Sequence, residues 1–533
     1  MKKLPKNIGN FKEIREENYI YIDKTKEIYN LLQNETKCFL SRPRRFGKTL
    51  LLDTFKELFE GNKKLFKGLY IYDKWNWNEK YPVLALDIGI TDVKTNERFE
   101  NSLHGLIDEI AEDNSINLIN IEIKGKFGEL IKKLEEKHNK KLVVLVDEYD
   151  FPIMENINKI EVAEEIRETL SGFYQVLKSK ERHIKFLFLT GVSKFTKTSI
   201  FSKLNNLTDL TIDERCSTIC GYSQKDLETE FKEHIKDLSK TKNETYKKTL
   251  KRIKKCYDGY SWDGKNFLYN PNSILSLLSM KKYSNYWFES GTPRFLIDLM
   301  KRDNINIESL LEVNKSFTGE FPTFELTNID LTTSLLQTGY LTIKKHEGTI
   351  YDEYILDIPN YEVKNSLFSY IVGSYTNNMP QQMEPLAHKF LNSVIQKDDE
   401  KTSQILNILI GKIPYKLQQS SWQYYHTIFP SWFYLMGLKT EIEKPNAQGE
   451  MDFISQYKDN LIIIGEIKYT QNPKTTLNSL IKKAMKQIQD KKYYQEYQDK
   501  NTLLLAIAIK DTEYKEVKCQ IKTIKELEEE YKN

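Results

Sequence analysis

Apolar residues come along this chain in short unbroken runs separated by stretches of helical periodicity. KCFLS (37–41), YPVLALDIG (81–89), KLVVLVDEYD (141–150) and HIKFLFLTGVSKF (183–195) are such runs. Each has the length of a strand and predicts one buried on both faces, as in a parallel sheet covered by helices. Behind the first run, Leu51, Phe55, Leu58 and Phe59 recur at i, i+4, i+7 and i+8, one face of a helix that Gly61 can end. Toward the C-terminus the pattern changes. EMDFIS and LIIIGEIK are strand-like runs joined by the polar QYKDN, which predicts a hairpin. A helix over roughly 421–437 and the strand LKTEIE precede them. A helix with Ile481, Ala484, Met485 and Ile488 on its apolar face follows, then the strand TLLLAIAI (502–509). The order is α-β-β-β-α-β. In the middle, TTSLLQTGY (332–340) reads as a helix, and LTIKK (341–345) pairs with 351–358 as a hairpin across HEGT.

These patterns predict an α/β protein. The length of 533 residues suggests about three domains. Their expected bounds are 1–220 for the parallel sheet, 221–415 for a helical and hairpin-bearing lid, and 416–533 for the second α/β domain. The last holds a complete core and is expected to fold alone. Runs such as LLLAIAI are too short to span a bilayer, and MKKLPKNIGNFKEI lacks the apolar core of a secretory signal. Five cysteines, with only Cys216 and Cys220 close together, form neither a disulfide framework nor a four-ligand zinc site. A reducing, cytoplasmic setting with no membrane contact is expected. The net charge of +4 is too small to announce a nucleic-acid binder by itself.

Candidate chemistry sharpens the picture at two places. RPRRFGKT (42–49) ends as a phosphate-binding loop does, in Gly47, Lys48 and Thr49, and it lies between a strand and a helix. In that setting backbone N–H groups and the helix N-terminus face phosphates, Lys48 reaches the β/γ oxygens of ATP, and Thr49 binds Mg²⁺. Arg42 stands where such a loop usually has its first glycine and is expected to point outward. With Arg44, Arg45 and Lys48 it adds positive charge for a triphosphate. At the end of the third run, Asp147 is expected in the Mg²⁺ shell, and Glu148 as the group that orients or deprotonates the attacking water. Thr190 and Ser193, at the end of the fourth, stand where a γ-phosphate sensor would sit.

The second place is GEMDFISQYKDNLIIIGEIKYT (449–470). A period of two puts Glu466 and Lys468 on one strand face, where Asp452 on the neighbouring strand can meet them. Two carboxylates and a strand carbonyl suit a hard divalent cation, and Lys468 can position or activate a water. E-x-K also occurs at Glu122–Lys124, Glu362–Lys364 and Glu516–Lys518, so the order of elements is what discriminates. Lys474, Lys482, Lys483, Lys486, Lys491 and Lys492 cluster around the following helix, either to track a phosphate backbone or as a solvated face.

Taken together, RPRRFGKT, LVDEYD, LTGVSKF, GYSQKDL, YDGY…LYNP, YWFESGTPRFL, LLQTGYLTI and IPNYEV closely resemble the bacterial AAA-ATPase-like proteins fused to a C-terminal PD-(D/E)XK nuclease-like domain. The resemblance covers nearly the whole chain. It implies an AAA-like P-loop sheet, a winged-helix-like lid and a restriction-endonuclease-like domain in which Asp452, Glu466 and Lys468 form the D…E-x-K set. In that family RPRRFGK[ST] is the usual form of the loop. Gln487 resembles a helix glutamine of related nucleases, whereas Trp422-Gln423-Tyr424-Tyr425-His426 lacks the acidic residue often found there. Arg294 could reach nucleotide from the lid, against a solvated surface role. His346 and His426 read as structural. The expected function is an ATP-regulated, Mg²⁺-dependent nuclease acting on DNA. The alternative is an ATP-switched module whose nuclease-like domain only binds nucleic acid or a protein partner.

Overall fold

The computed structural model describes residues 1–194, 206–287, 316–319, 322–323, 330–348, 351–367, 380–411, 438–446, 449–457, 461–513 and 515–531, with Tyr425, Phe429 and Phe433 singly. The chain divides into two compact units, one of residues 1–299 with 313–362, the other of 300–312 with 363–533.

The first unit is built on five parallel strands, β1 (Lys37–Ser41), β2 (Val83–Asp87), β3 (Leu142–Asp147), β4 (Ile184–Gly191) and β5 (Thr208–Asp209), in the order β2-β3-β4-β1-β5. All six residues of β3 are buried, as an unbroken apolar run in a central strand requires. The run YPVLALDIG predicts burial on both faces. Instead β2 lies at the sheet edge and alternates, leaving Ala85 and Asp87 exposed. The helix Lys48–Phe59 buries Leu51, Phe55, Leu58 and Phe59 as its spacing predicts, and Phe55 meets Phe186 and Phe188 of β4 with ring centroids 5.4 and 5.0 Å apart.

Residues 221–299 and 313–362 belong to this same unit. They supply a short pair, β6 (Tyr222–Ser223) with β7 (Leu268–Tyr269), and an antiparallel sheet of β8 (Ser316–Thr318), β9 (Thr342–Glu347) and β10 (Glu353–Asp357). The helix Leu331–Thr338 precedes the β9–β10 hairpin, in the order read from the sequence. The segment 221–415 is thus divided: helices Pro380–Ile395 and Asp399–Gly411 belong to the second unit.

That unit carries a mixed sheet, β11 (Lys439–Asn446), β12 (Gly449–Tyr457), β13 (Leu461–Thr470), β14 (Asn501–Asp511) and β15 (Lys515–Thr523), in sequential order. Only β13 and β14 run parallel, joined through the helix Leu477–Asp490. Its Leu480, Ile481, Ala484, Met485 and Ile488 cover Ile462, Ile464, Leu504, Ala506 and Ala508. Tyr425, Phe429 and Phe433, at i, i+4 and i+8, are helical and fully buried. β15 and the helix Ile524–Glu530 extend the unit beyond the six elements expected. Among the described residues no helix is long and apolar enough to cross a membrane, and all five cysteines are free.

Candidate active sites

In the loop RPRRFGKT (42–49), Gly47 caps the helix Lys48–Phe59 from the left-handed region at φ 93°, and Arg45 occupies that region too at φ 66°. A side chain there is strained, and such strain gathers at functional loops. Arg44 and Arg45 are exposed, with Arg44 3.5 Å from Glu155. Lys48 is buried and donates to Arg42 O at 3.1 Å and Pro43 O at 3.2 Å.

Arg42 does not point outward. It is fully buried, donates to the carbonyls of Ser41, Thr211 and Cys216 at 2.8, 2.8 and 3.1 Å, and lies 4.1 Å over the Trp262 ring. Burial lowers its guanidinium from 12.5 to about 10. It is therefore a strut of the loop, which leaves Arg44, Arg45 and Lys48 as the cations expected to face a phosphate. The rest of the loop is held from the same side. Phe46 meets Tyr260 and Trp262 edge-on, Gly339 packs on Pro43, and Arg44 O accepts from Trp287 Nε1 at 3.3 Å. The phrases YDGYSW, YW and TGY of the middle segment are the back wall of this loop.

Thr49 Oγ1 donates to Asp147 Oδ2 at 2.6 Å, which brings together the two residues expected to share Mg²⁺. Both are hard oxygen donors at the mouth of the loop, so the pair fits that ion. Glu148 follows at φ 50°. Burial lifts its carboxyl above the usual range, Lys48 opposes the rise, and Asp147, Asp150 and Asp87 add to it.

β4 lies between β1 and β3, and the register sets its C-terminal end beside Asp147. Thr190 shares the face of Phe186 and Phe188, under the loop's helix; it is fully buried, and its hydroxyl has no hydrogen-bond partner among the described residues. Ser193 is also fully buried, but its hydroxyl donates to Asp150, which accepts from Ser193 N at 2.6 Å as well. The structure thus gives Ser193 an internal partner, and Thr190 is the polar group level with Asp147. Two further residues escape a reading of the sequence alone. Asp87 pairs in register with Asp147, and the buried Asp150 holds the turn after β4. Their signal is position, since each ends or directly follows a strand at the same sheet edge.

In the second unit, Phe453 pairs with Gly465, so the antiparallel register sets Asp452 opposite Glu466. The backbone ladder between the two strands ends there. Beyond it the N–H of Ile467 donates to Asp452 Oδ2 at 2.5 Å in place of a backbone carbonyl, so the strands part at the carboxylates. Gly465 is required: a Cβ at that position would stand 1.9 Å from the Phe453 ring that crosses it. Glu466 is fully buried, and Lys468 Nζ donates to its Oε1 at 2.5 Å. Two carboxylates on facing strands with a lysine two residues on suit a hard divalent ion. Among the described residues no group of three or more His, Cys, Asp or Glu is gathered for an ion.

The other E-x-K sites differ. Glu122 precedes a helix, Glu362 is buried on Ser273 Oγ and Trp287 N, and Glu516–Lys518 lies exposed on β15. Gln487 donates to Tyr493 OH at 3.0 Å, and the six lysines about its helix are exposed. His346 bonds Asp352 at 2.7 Å and stacks on Tyr354. Arg294, Trp422, Gln423, Tyr424 and His426 lie outside the described residues.

The first unit therefore has the parallel sheet and loop of an AAA-like P-loop protein, and the second has the strand pair of a PD-(D/E)XK fold. Comparison with known proteins agrees. Residues 5–201 match the family model described as predicted AAA-ATPase, and residues 422–521 match that of the PD-(D/E)XK nuclease superfamily. A protein of Azotobacter chroococcum mcd 1, described as "Uncharacterized protein in vnfD 5'region", is 33% identical over 503 residues, 93% of this chain and 94% of its own. The chain belongs to the family of AAA-ATPase-like proteins with a C-terminal PD-(D/E)XK nuclease-superfamily domain.

Proposed function

We propose that this protein is an ATP-regulated, Mg²⁺-dependent nuclease that acts on DNA phosphodiester bonds. The observation that carries the reading is the meeting of Asp452, Glu466 and Lys468 where β12 and β13 part. Asp452 and Glu466 would hold the divalent ion, which when bound polarises a phosphoryl oxygen and makes water more acidic. Lys468, now donating to Glu466, is placed to orient a water toward phosphorus and to take part in its proton transfer. In the first unit, Lys48, Arg44 and Arg45 would bind the phosphates of ATP, Thr49 and Asp147 its Mg²⁺, and Glu148 the attacking water. Thr190 would sense the γ-phosphate, with Ser193 acting behind it through Asp150.

Asp452→Ala and Glu466→Ala should each abolish cleavage of DNA and weaken divalent-ion binding, whereas Lys468→Ala should keep the ion and lose cleavage. The assay is a gel-based digestion with Mg²⁺ or Mn²⁺, paired with calorimetric ion binding. Wild-type cleavage by Asp452→Ala and Lys468→Ala would overturn the reading. A second reading is an ATP-switched binding module. The lack of an acidic residue in Trp422-Gln423-Tyr424-Tyr425-His426 favours it, and it predicts nucleic-acid binding without cleavage under any metal.

A further inference from the structure

The helix Tyr246–Tyr257 belongs to neither site. Residues 240–255 hold eight Lys or Arg against one acidic residue, Glu244, while the whole chain nets only +4. The charge is a local concentration, and the rest of the chain is net negative. Thr249, Ile253 and Tyr257 are buried, the last two in an apolar cluster with Ile235 and Leu238 of helix Lys232–Thr241. This leaves Lys247, Lys248, Lys251, Arg252, Lys254 and Lys255 exposed. Arg252 pairs with Glu244 at 3.1 Å, and Lys254 stands 3.7 Å from Asp258. Lys247, Lys248, Lys251 and Lys255 have no acidic partner among the described residues. The pairs Lys247–Lys251, Lys248–Arg252 and Lys251–Lys255 are four apart on one helix, where like charges destabilise it. The helix dipole favours cations only in the last turn.

We propose that this helix face docks the phosphate backbone of a nucleic acid. Three observations favour that partner. No large apolar side chain is exposed on the helix, so the face lacks the apolar centre of a protein–protein interface. The helix's own apolar stripe is committed to the core, so it cannot enter a bilayer as an amphipathic helix does. Lys247, Lys251 and Lys255 follow one another about every 6 Å along the axis, a density that can neutralise several phosphates of a strand rising about 3.4 Å per nucleotide. The inference extends the nuclease reading by giving the first unit a nucleic-acid contact of its own, and it does not depend on cleavage.

The test uses the full-length protein, labelled single- and double-stranded DNA of arbitrary sequence, and EDTA to stop any cutting. Lys247→Gln, Lys248→Gln, Lys251→Gln and Lys255→Gln combined should weaken binding at least tenfold near 0.1 M salt. The slope of log K against log salt should flatten by about 2–4, as expected for three or four lost phosphate contacts. Tm should hold or rise, because repulsion on the helix is relieved. Unchanged affinity and slope would overturn the proposal whether or not the wild type cuts DNA. So would loss of binding to phosphatidylserine vesicles with DNA binding retained, which would make the face a membrane contact. Loss of cleavage in Asp452→Ala with binding unchanged bears on the nuclease site alone.

Discussion

Arg42 shows how one side chain can replace the freedom of a glycine with an anchor. Its guanidinium satisfies three carbonyls and covers Trp262, so the loop backbone is fixed from behind rather than by a tight turn. Arg42→Ala would leave Thr211 O and Cys216 O without their donor and open a cavity, at a cost of about 2–4 kcal/mol in urea unfolding. Arg42→Lys should not restore it, since an ammonium cannot span the forked acceptors or stack in the same way. Lys48 acts on the other side of the loop. Its change to Ala should lower ATP affinity or turnover by roughly 10²–10³, whereas Glu148→Gln should bind ATP and fail to turn it over. In the second unit, Gly465→Ala should displace Phe453 and cost about 1–3 kcal/mol by overpacking. It should also weaken divalent-ion binding in calorimetry, because the Phe453–Gly465 contact holds Asp452 opposite Glu466.

Among the elements, helix Asp399–Gly411 is unusual in hydrogen-bonding the outer edge of a sheet with its side chains. Asp399, Ser403 and Asn407 recur at i, i+4 and i+8 and accept from the backbone N–H of Ile521, Cys519 and Val517 at 2.8, 3.0 and 2.8 Å. Four helical residues rise about 6 Å and two strand residues about 6.7 Å, so the two repeats keep step. The cover removes an exposed strand edge, a standing aggregation hazard. The expectation that residues 416–533 fold alone therefore needs this helix added. A fragment of 416–533 should be less stable and more aggregation-prone than one of 380–533, as light scattering and circular dichroism can show. Glu526 adds a pH dependence. Its hydrogen bond from Lys397, helped by the Thr523 N–H, draws its carboxyl down to about 2. A depressed carboxyl stabilises above the unfolded value near 4.5, and that contribution fades as pH falls from there toward 2. The pair is half exposed, so the effect should stay below about 1 kcal/mol. Glu526→Gln should flatten this part of the urea midpoint's pH profile between about pH 5 and 2.

For the whole molecule, the family joins a nucleotide-binding unit to a nuclease-superfamily unit in one chain. If ATP regulates cutting, nucleotide should alter cleavage by the full-length protein and leave the 380–533 fragment unaffected. Lys48→Ala should make the full-length protein behave as the fragment does. Cleavage equally indifferent to ATP in all three would separate the two activities.

Much of this was legible in the residues themselves. Unbroken apolar runs marked β1, β3 and β4 because a strand covered on both faces has no polar positions to show. Glu466 and Lys468 announced their shared face through the strand period, and the facing strand brought Asp452 to it. Three things could be decided only by the folded chain. Arg42 turned inward because Trp262 and the carbonyls of Thr211 and Cys216 wait there, each far along the sequence. Ser193 was drawn off by Asp150, while Thr190 was left level with Asp147, a matter of strand order and register. The edge of β15 found its cover in a distant, earlier helix. Local periodicity specifies which way a side chain faces on its own element; which partner stands opposite depends on contacts between distant segments, and only packing determines those.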